Sequence, residues 1–313
     1  MVQEQEWRLS DGKERGEVMD LQEKLDSRKF VTTVEIGPPR SADGSDLMKI
    51  VDKVKGCADA YNITDNQTAA VRMSSLAGSV VCLRNGLEPI MQMVCRDRNR
   101  IAMQSDVLGA SALGVKNILC LSGDHQIFGT QPDAKNVYDI DSTQQLMIFR
   151  KMRDGRLWSN DELKASPELF LGAVTNPFGD PRELHLIRLA NKSAAGAQFV
   201  QTQPVFDVAA FEDWLKTVRN MQACNGTKII AGILPMKSYD AAKRLSKVPG
   251  MAIPSDVLER MSKATDGEAE GIRIASEIIE KIRKMKGVSG IHVMPVYWYS
   301  GVKRLVDAAG IRP

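Results

Sequence analysis

The chain has 313 residues and a mass of 34.5 kDa, which suits one large α/β domain or two small ones. Apolar residues make up 43% and charged residues 26% of the sequence, a composition typical of globular and not of disordered proteins. A formal charge of +3 gives no electrostatic case for binding nucleic acid or an anionic membrane, and no apolar run approaches the roughly 20 residues that span a bilayer.

The first 28 residues are rich in charged side chains and contain no apolar segment of the kind that a secretory signal needs. We expect residues 1–28 to form an N-terminal extension, mobile or helical, ahead of one catalytic domain over residues 29–313, and we expect a cytoplasmic protein. The five cysteines are scattered and form no C-x-x-C pair, which argues against a disulfide scaffold and against a zinc or iron–sulfur site. We therefore predict that the cysteines are packing residues and that the chain holds no metal.

Eight short β-branched or apolar runs alternate with longer stretches of helical periodicity. We predict strands at Val31–Ile36, Ala60–Thr64, Ile90–Cys95, Asn117–Ser122, Leu169–Val174, Ala197–Thr202, Lys228–Ile233 and Gly290–Met294. Strands separated by helices indicate parallel pairing with crossover helices. The number of strands and their mean spacing predict an α/β fold, a (β/α)8 TIM barrel with extra helices.

Local signals mark the ends of several helices. Asp141 is expected to open one helix. In Asp180-Pro181-Arg182-Glu183, Asp180 is expected to cap the next helix, with Glu183 reaching back as in a capping box and Gly196 ending the helix. The last connection is the longest, with helices predicted near Ser238–Lys247, Ser255–Ala264 and Glu268–Lys286.

Two lone carboxylates stand out at the carboxyl ends of the predicted strands, where the active site of such a barrel lies. Glu35 lies between Val34 and Ile36 in an apolar strand. Burial there would favour the neutral acid, which could donate a proton near neutral pH; an ion pair with a Lys or Arg inside the barrel is the alternative. Asp124 follows a Ser-Gly turn, where it either faces a ligand or caps a turn or helix.

Several common site types have no support in the sequence. No G-x-G-x-x-G follows a strand, no G-x-x-x-x-G-K-[ST] occurs, and the three histidines lack metal-ligand spacing. The residues alone predict a barrel enzyme with Glu and Asp at strand ends and with Thr, Asn and Gln beside them. That polar set suits a heteroaromatic ligand with hydrogen-bond donors and acceptors on its edges.

Five short motifs follow one another along the chain: Val34-Glu35-Ile36-Gly37-Pro38-Pro39, Ile63-Thr64, Leu121-Ser122-Gly123-Asp124, Gln203-Pro204-Val205-Phe206-Asp207 and Gly232-Ile233-Leu234-Pro235. In this order they resemble the methylenetetrahydrofolate reductase family, and the similarity runs from about Phe30 to Pro313. The resemblance implies a flavin-dependent barrel of one-carbon metabolism and methionine biosynthesis. It implies that reduced flavin passes hydride to 5,10-methylenetetrahydrofolate, which becomes 5-methyltetrahydrofolate.

The resemblance also implies roles for individual residues. Glu35 matches the family's general acid, and Asp124 matches the acidic residue that contacts the pterin and stabilises the cationic iminium form of the folate. Lys192 matches a basic residue beside the flavin phosphates. We assign cofactor contacts to Thr64, Gln92, Gly123, Asp124, Tyr138, Asn176 and Lys192. We assign substrate contacts to Glu35, Asp124, Gln203 and Tyr239.

Departures from the family pattern leave alternatives open. Where the family meets the adenosine half of FAD, this chain has His185, Arg188 and Asn191 in place of the more usual residues, so FMN is an alternative to FAD. Electrons come either from NADH or NADPH or from an iron–sulfur partner subunit, and we expect an oligomer. Two other functions remain: another barrel enzyme of one-carbon metabolism, similar to a pterin methyltransferase, and a non-catalytic subunit of an electron-transfer complex.

Overall fold

The computed structural model describes residues 19–248 and 251–313, so the first 18 residues of the predicted extension lie outside the described part of the chain. Eight strands form the sheet: β1 (Val31–Ile36), β2 (Ala60–Ile63), β3 (Pro89–Val94), β4 (Asn117–Leu121), β5 (Phe170–Thr175), β6 (Phe199–Pro204), β7 (Lys228–Ile233) and β8 (Val288–Val293). They are parallel, each pairs with its neighbours in sequence, and β8 pairs with β1, which closes the barrel. The predicted (β/α)8 barrel is confirmed.

The described residues contain eleven α-helices: α1 (Leu21–Asp26), α2 (Gly44–Val54), α3 (Ser75–Arg84), α4 (Arg100–Ala112), α5 (Ser142–Arg153), α6 (Arg182–Ala195), α7 (Val208–Arg219), α8 (Tyr239–Leu245), α9 (Ser255–Lys263), α10 (Gly267–Arg283) and α11 (Tyr299–Ala309). Helices α8 and α9 are additions within the long connection from β7 to β8. Among the described residues, no helix combines the length and the apolar character needed to cross a membrane. All five cysteines are buried and unpaired, so the prediction that they serve packing is confirmed.

The helix starts show which local signals are reliable. Asp141 caps α5, because its side chain accepts hydrogen bonds from the backbone N–H groups of Thr143 and Gln144. The predicted Asp180 cap is wrong. Helix α6 begins at Arg182, so Pro181 occupies the N-cap position and no side chain caps the helix. Gly196 ends α6 at a φ of 126°, as predicted.

An apolar floor closes the amino-terminal end of the barrel. Leu21 and Leu25 of α1 are 0% and 1% exposed. They pack against inward-facing side chains from seven strands, namely Val31, Ala60, Ile90, Leu119, Phe170, Phe199 and Ile230. Helix α1, which belongs to the predicted extension, is thus part of the barrel core.

A buried polar layer lies directly above this floor. Its members are Thr33, Asn62, Gln201 and His292. The first three each lie two residues further along a strand than a floor residue, and His292 lies on β8. The amide of Gln201 exchanges hydrogen bonds of 2.7 and 3.0 Å with that of Asn62, and Thr33 Oγ1 lies 2.9 Å from His292 Nδ1. Burial lowers the pKa of His292 to about 3, so its imidazole is neutral. Two further residues along the same strand faces lie Glu35, Thr64 and Gln203, at the mouth of the barrel.

Candidate active site

A cavity of about 280 Å³ lies at the carboxyl ends of the strands. Five of the predicted site residues line it, namely Gln92, Gly123, Asp124, Lys192 and Gln203. They come from β3, the loop after β4, helix α6 and β6. The strand-end rule and the family resemblance therefore select residues that the fold brings together in one place.

Glu35 lies at the edge of this cavity. Gln67, which lines the cavity, donates a hydrogen bond of 2.9 Å from Nε2 to Glu35 Oε1. Burial raises the pKa of Glu35, and the Gln67 hydrogen bond offsets that rise only in part. In the described part of the chain its side-chain partner is thus an amide, and the alternative of an ion pair with a Lys or Arg is not observed.

Arg96 holds the loop that carries Asp124. The Arg96 side chain is 3% exposed, and its Nε and Nη2 atoms both lie 2.7 Å from the carboxylate of Asp97. Its Nη1 donates to the carbonyl oxygen of Asp124 at 2.8 Å, and Nη2 donates to that of Asn66 at 3.2 Å. One guanidinium therefore ties the loops after β2 and β4 together. The cap of the short 3-10 helix that follows is His125 and not Asp124.

A second buried ion pair lies below the same loops. Asp65 Oδ2 accepts from the backbone N–H of Val94 at 3.0 Å and from Arg98 Nη1 at 2.6 Å. This arrangement holds the end of β2 against the end of β3. The sequence offers no signal for the pairing, because Arg98 lies 33 residues after Asp65.

Four other predicted residues do not line the cavity. Thr64 is buried beneath it, and its hydroxyl has no hydrogen-bond partner among the described residues. The hydroxyl of Tyr138 donates at 3.4 Å to the carbonyl of Gly123, so Tyr138 contacts the loop that carries Asp124. Asn176 accepts a backbone N–H at 3.0 Å within its own turn, and Tyr239 begins α8 and is 39% exposed. Neither is brought to the cavity.

Lys192 provides a cation on the far side of the cavity. Its Nζ donates to the carbonyl of Val174 at 2.8 Å. Burial, and secondarily the nearby charge of Arg188, lowers the pKa of Lys192. An anionic group bound beside this amine would favour its charged form. Among the described residues, no group of three or more His, Cys, Asp and Glu side chains could hold a metal ion.

The residues present fit a planar heteroaromatic group with an anionic tail. The buried Thr64 hydroxyl is an unpaired polar atom close to the cavity. Gly123 adopts a φ of +85°, and a Cβ there would lie 3.0 Å from Val94 Cβ, so a bare backbone is required at this point of the wall. Amide side chains supply donors and acceptors, and Lys192 supplies positive charge.

These features define a (β/α)8 barrel with an acid-bearing cavity at its mouth, the arrangement of a barrel enzyme. The family model described as methylenetetrahydrofolate reductase matches residues 20–310, and the chain belongs to this family. The resemblance read from the five motifs is confirmed.

Individual relatives agree with this assignment. The probable methylenetetrahydrofolate reductase (NADPH) of Caenorhabditis elegans is 22% identical over 93% of this chain and 44% of its own length. The 5,10-methylenetetrahydrofolate reductase of Salmonella typhimurium is 24% identical over 74% of this chain and 73% of its own length. The chain thus spans less than half of its nematode relative and about three quarters of its bacterial one.

A solved structure shares the fold. It is an uncharacterized protein from Clostridium thermocellum that binds two copies of 5-methyl-5,6,7,8-tetrahydrofolic acid. Its TM-score is 0.65 at 16% sequence identity, and the match covers 93% of this chain and 99% of that chain.

Proposed function

We propose that this barrel reduces 5,10-methylenetetrahydrofolate to 5-methyltetrahydrofolate with a bound flavin, FAD or alternatively FMN. The observation that carries the proposal is the placement of a carboxyl group with a raised pKa, Glu35, at the edge of the cavity that Asp124 and Gln203 line. Membership of the family supports it, as do the activities named for the relatives and the folate that the structural neighbour binds.

The chain's own residues account for the proton and the charge in this reaction. Glu35, whose pKa is raised by burial, donates a proton to the folate nitrogen that leaves when the five-membered ring opens. Asp124, which lines the cavity, would stabilise the cationic iminium that results. Gln203 binds the edge of the pterin through its amide. A bound reduced flavin would supply the hydride, and the cavity walls would hold the two ring systems face to face.

We also propose cofactor contacts in and beside the same cavity. Lys192 would neutralise a flavin phosphate, and the free hydroxyl of Thr64 would bond to a polar edge of the ring. Gln92 and the backbone at Gly123 would form the adjacent wall. The electron donor is NADH or NADPH, or an iron–sulfur partner subunit.

One experiment tests the cofactor and the donor together. The chromophore is extracted from purified protein and identified by mass spectrometry, and NADH is added to the intact protein to see whether flavin absorbance is lost. We expect FAD or FMN in the extract. A flavin that NADH and NADPH leave oxidised, but that a reduced iron–sulfur protein bleaches, would select the partner route. A colourless protein that takes up no added flavin would contradict the proposal and favour the pterin methyltransferase alternative.

A pair of variants tests the site. Glu35→Gln should leave reduction of the flavin by its donor intact and lower folate turnover by roughly 10²–10⁴-fold, the usual contribution of a general acid. Asp124→Asn should weaken folate binding and slow folate turnover. Folate turnover near the wild-type rate in Glu35→Gln would show that the acid assignment is wrong, and unchanged folate kinetics in Asp124→Asn would remove that residue from the site.

A further inference from the structure

A chain of hydrogen bonds leads from the loop after β8 to the carboxyl group of Glu35. Arg72 Nη2 donates to the hydroxyl of Tyr297 at 2.7 Å. That hydroxyl lies 3.3 Å from Gln67 Oε1, and Gln67 Nε2 lies 2.9 Å from Glu35 Oε1. Motif comparison selects Glu35 alone from this chain of four residues, so the other three have no assigned role.

The donor and the acceptor of every hydrogen bond in this series follow from Arg72, its first residue. A guanidinium has donors and no acceptor, so the Tyr297 oxygen accepts from Arg72. The proton of the Tyr297 hydroxyl is then free to bond to the oxygen of the Gln67 amide. The amide must therefore present its NH₂ group to Glu35, which fixes the orientation of the amide on chemical grounds.

We propose that Gln67 and Tyr297 are positioning residues that hold Glu35 Oε1 as a hydrogen-bond acceptor and so place the transferable proton on Oε2. In a neutral carboxylic acid the carbonyl oxygen is the stronger hydrogen-bond acceptor, so the oxygen that accepts the N–H of Gln67 is the carbonyl oxygen. The proton of the neutral acid therefore lies on the other oxygen. This inference rests on the proposed role of Glu35 as the general acid.

The backbone near these four hydrogen-bonded residues leaves room for their side chains. Gly37 directly follows β1, and a Cβ there would lie 3.1 Å from Tyr297 Cε1 and 3.6 Å from Gln67 Oε1. Arg72 is anchored as well, because its Nη1 donates to the carbonyl of Pro38 at 3.2 Å and its guanidinium lies 5.0 Å from the centre of the Tyr297 ring. A side chain at position 37 would crowd the two residues that orient Glu35.

Both loops that supply these side chains hold unusual backbone conformations. Asn66 and Thr68, on either side of Gln67, have φ values of 43° and 57°, and Tyr297 has a φ of 67°. Non-glycine residues adopt this left-handed region at a cost, and such positions cluster at functional sites. These backbone conformations are an observation separate from the hydrogen bonds, and they occur in the two loops that supply Gln67 and Tyr297.

The titratable groups around Glu35 do not obscure its own titration. Burial raises the pKa of Tyr299 to about 12, and burial lowers that of His292, in the layer below, to about 3. The guanidinium of Arg72 donates a hydrogen bond to the Tyr297 phenol. Burial also raises the pKa of Glu88, so the carboxyl signal of Glu35 is identified by its absence in Glu35→Gln.

The test is a pH titration of protein labelled with ¹³C at the Glu carboxyl groups, followed by NMR. Gln67→Leu removes a hydrogen bond to the carboxylate, so the Glu35 midpoint should rise by about one pH unit. Tyr297→Phe should raise the Glu35 midpoint by less, because the Gln67 amide is retained but can flip and exchange its O and NH₂ positions. In the Gln67→Leu background, Tyr297→Phe should have no further effect. The matched control is Tyr61→Phe, which removes a buried hydroxyl that donates to the carbonyl of Val54 at 3.0 Å, and it should leave the midpoint unchanged.

Two results would overturn the proposal: an unchanged Glu35 midpoint in Tyr297→Phe, or an equal shift from that substitution with and without Gln67. If Gln67→Leu does not fold, Gln67→Met removes the same donor with a side chain of similar length. In folate turnover, we expect Gln67→Leu to lower kcat with little change in KM for the folate. The titration needs no substrate, so a protein that fails to reduce folate would refute the proposed function and still test the hydrogen-bonded chain.

Discussion

Replacing Arg96 with lysine should loosen the loop that carries Asp124 while keeping the positive charge. Arg96 is buried and makes a two-pronged ion pair with Asp97. It also donates to the carbonyls of Asp124 and Asn66 at 2.8 and 3.2 Å. A lysine ammonium is a compact point charge and cannot reproduce the planar fork that reaches three groups at once. Lysine should keep contact with Asp97 and lose both carbonyls.

The size of the effect follows from the bonds lost. A hydrogen bond that involves a charged group contributes about 1.5–3 kcal/mol to stability. Two such bonds set an upper range of about 3–6 kcal/mol, and partial replacement by water at the open cavity reduces it. We therefore expect Arg96→Lys to lower the free energy of unfolding by roughly 3 kcal/mol.

Urea unfolding followed by circular dichroism measures this change. The matched control is Arg100→Lys, because Arg100 also makes a two-pronged pair, with Asp139, but its side chain is 40% exposed. Exposed pairs contribute little, so the control should unfold close to the wild-type midpoint. If the free energy of unfolding of Arg96→Lys also lies within about 0.5 kcal/mol of the wild-type value, the hydrogen bonds to the two carbonyls do not hold the loop and the reasoning is refuted.

Three further predictions concern the barrel lumen. Burial raises the pKa of Glu35, so the free energy of unfolding should decrease as the pH rises from the ordinary Glu value of 4.5 through the raised one; Glu35→Gln should remove that slope in melting curves, and an unchanged slope would contradict it. Burial lowers the pKa of His292 from 6.5 to about 3, so stability should be lost as the pH falls across that interval, and His292→Gln should flatten this acid limb. Gly172→Ala should lower stability by about 1–3 kcal/mol in urea, because its Cβ would lie too close to the Phe199 ring; adding Phe199→Leu should recover part of the loss, and no recovery would argue against this clash.

The strands could be predicted from sequence because each has a local apolar pattern that the barrel repeats eight times. Errors fall at the ends, where the pattern is ambiguous. The strand predicted to begin at Ala197 begins at Phe199, and the last strand begins two residues before Gly290. Asp180 was a plausible cap by residue type, but the helix starts one residue later than that cap requires. A shift of one position decides which side chain can reach the free N–H groups.

The candidate site contains residues that the sequence could place and residues that it could not. Glu35, Gln92 and Gln203 could be placed from sequence, because a residue on an inward-facing strand end must point to the mouth. Gln67 and Tyr297 could not, because they lie 230 residues apart and meet only through the closure of the barrel. Side chains that bond to backbone carbonyls, as Arg96 does, leave no pattern in a single sequence.

The apolar floor of the barrel decides how Glu35 exchanges protons with water. Leu21 and Leu25 close one end of the lumen, and the amides and the neutral imidazole above them are bonded to one another. In the described part of the chain, this packed floor and bonded layer separate Glu35 from solvent at the amino-terminal end of the barrel. We therefore expect Glu35 to exchange protons through the mouth, the same opening that a substrate would use. A bound ligand that fills the opening would consequently isolate the acid from the buffer and preserve its protonation state until the ligand departs.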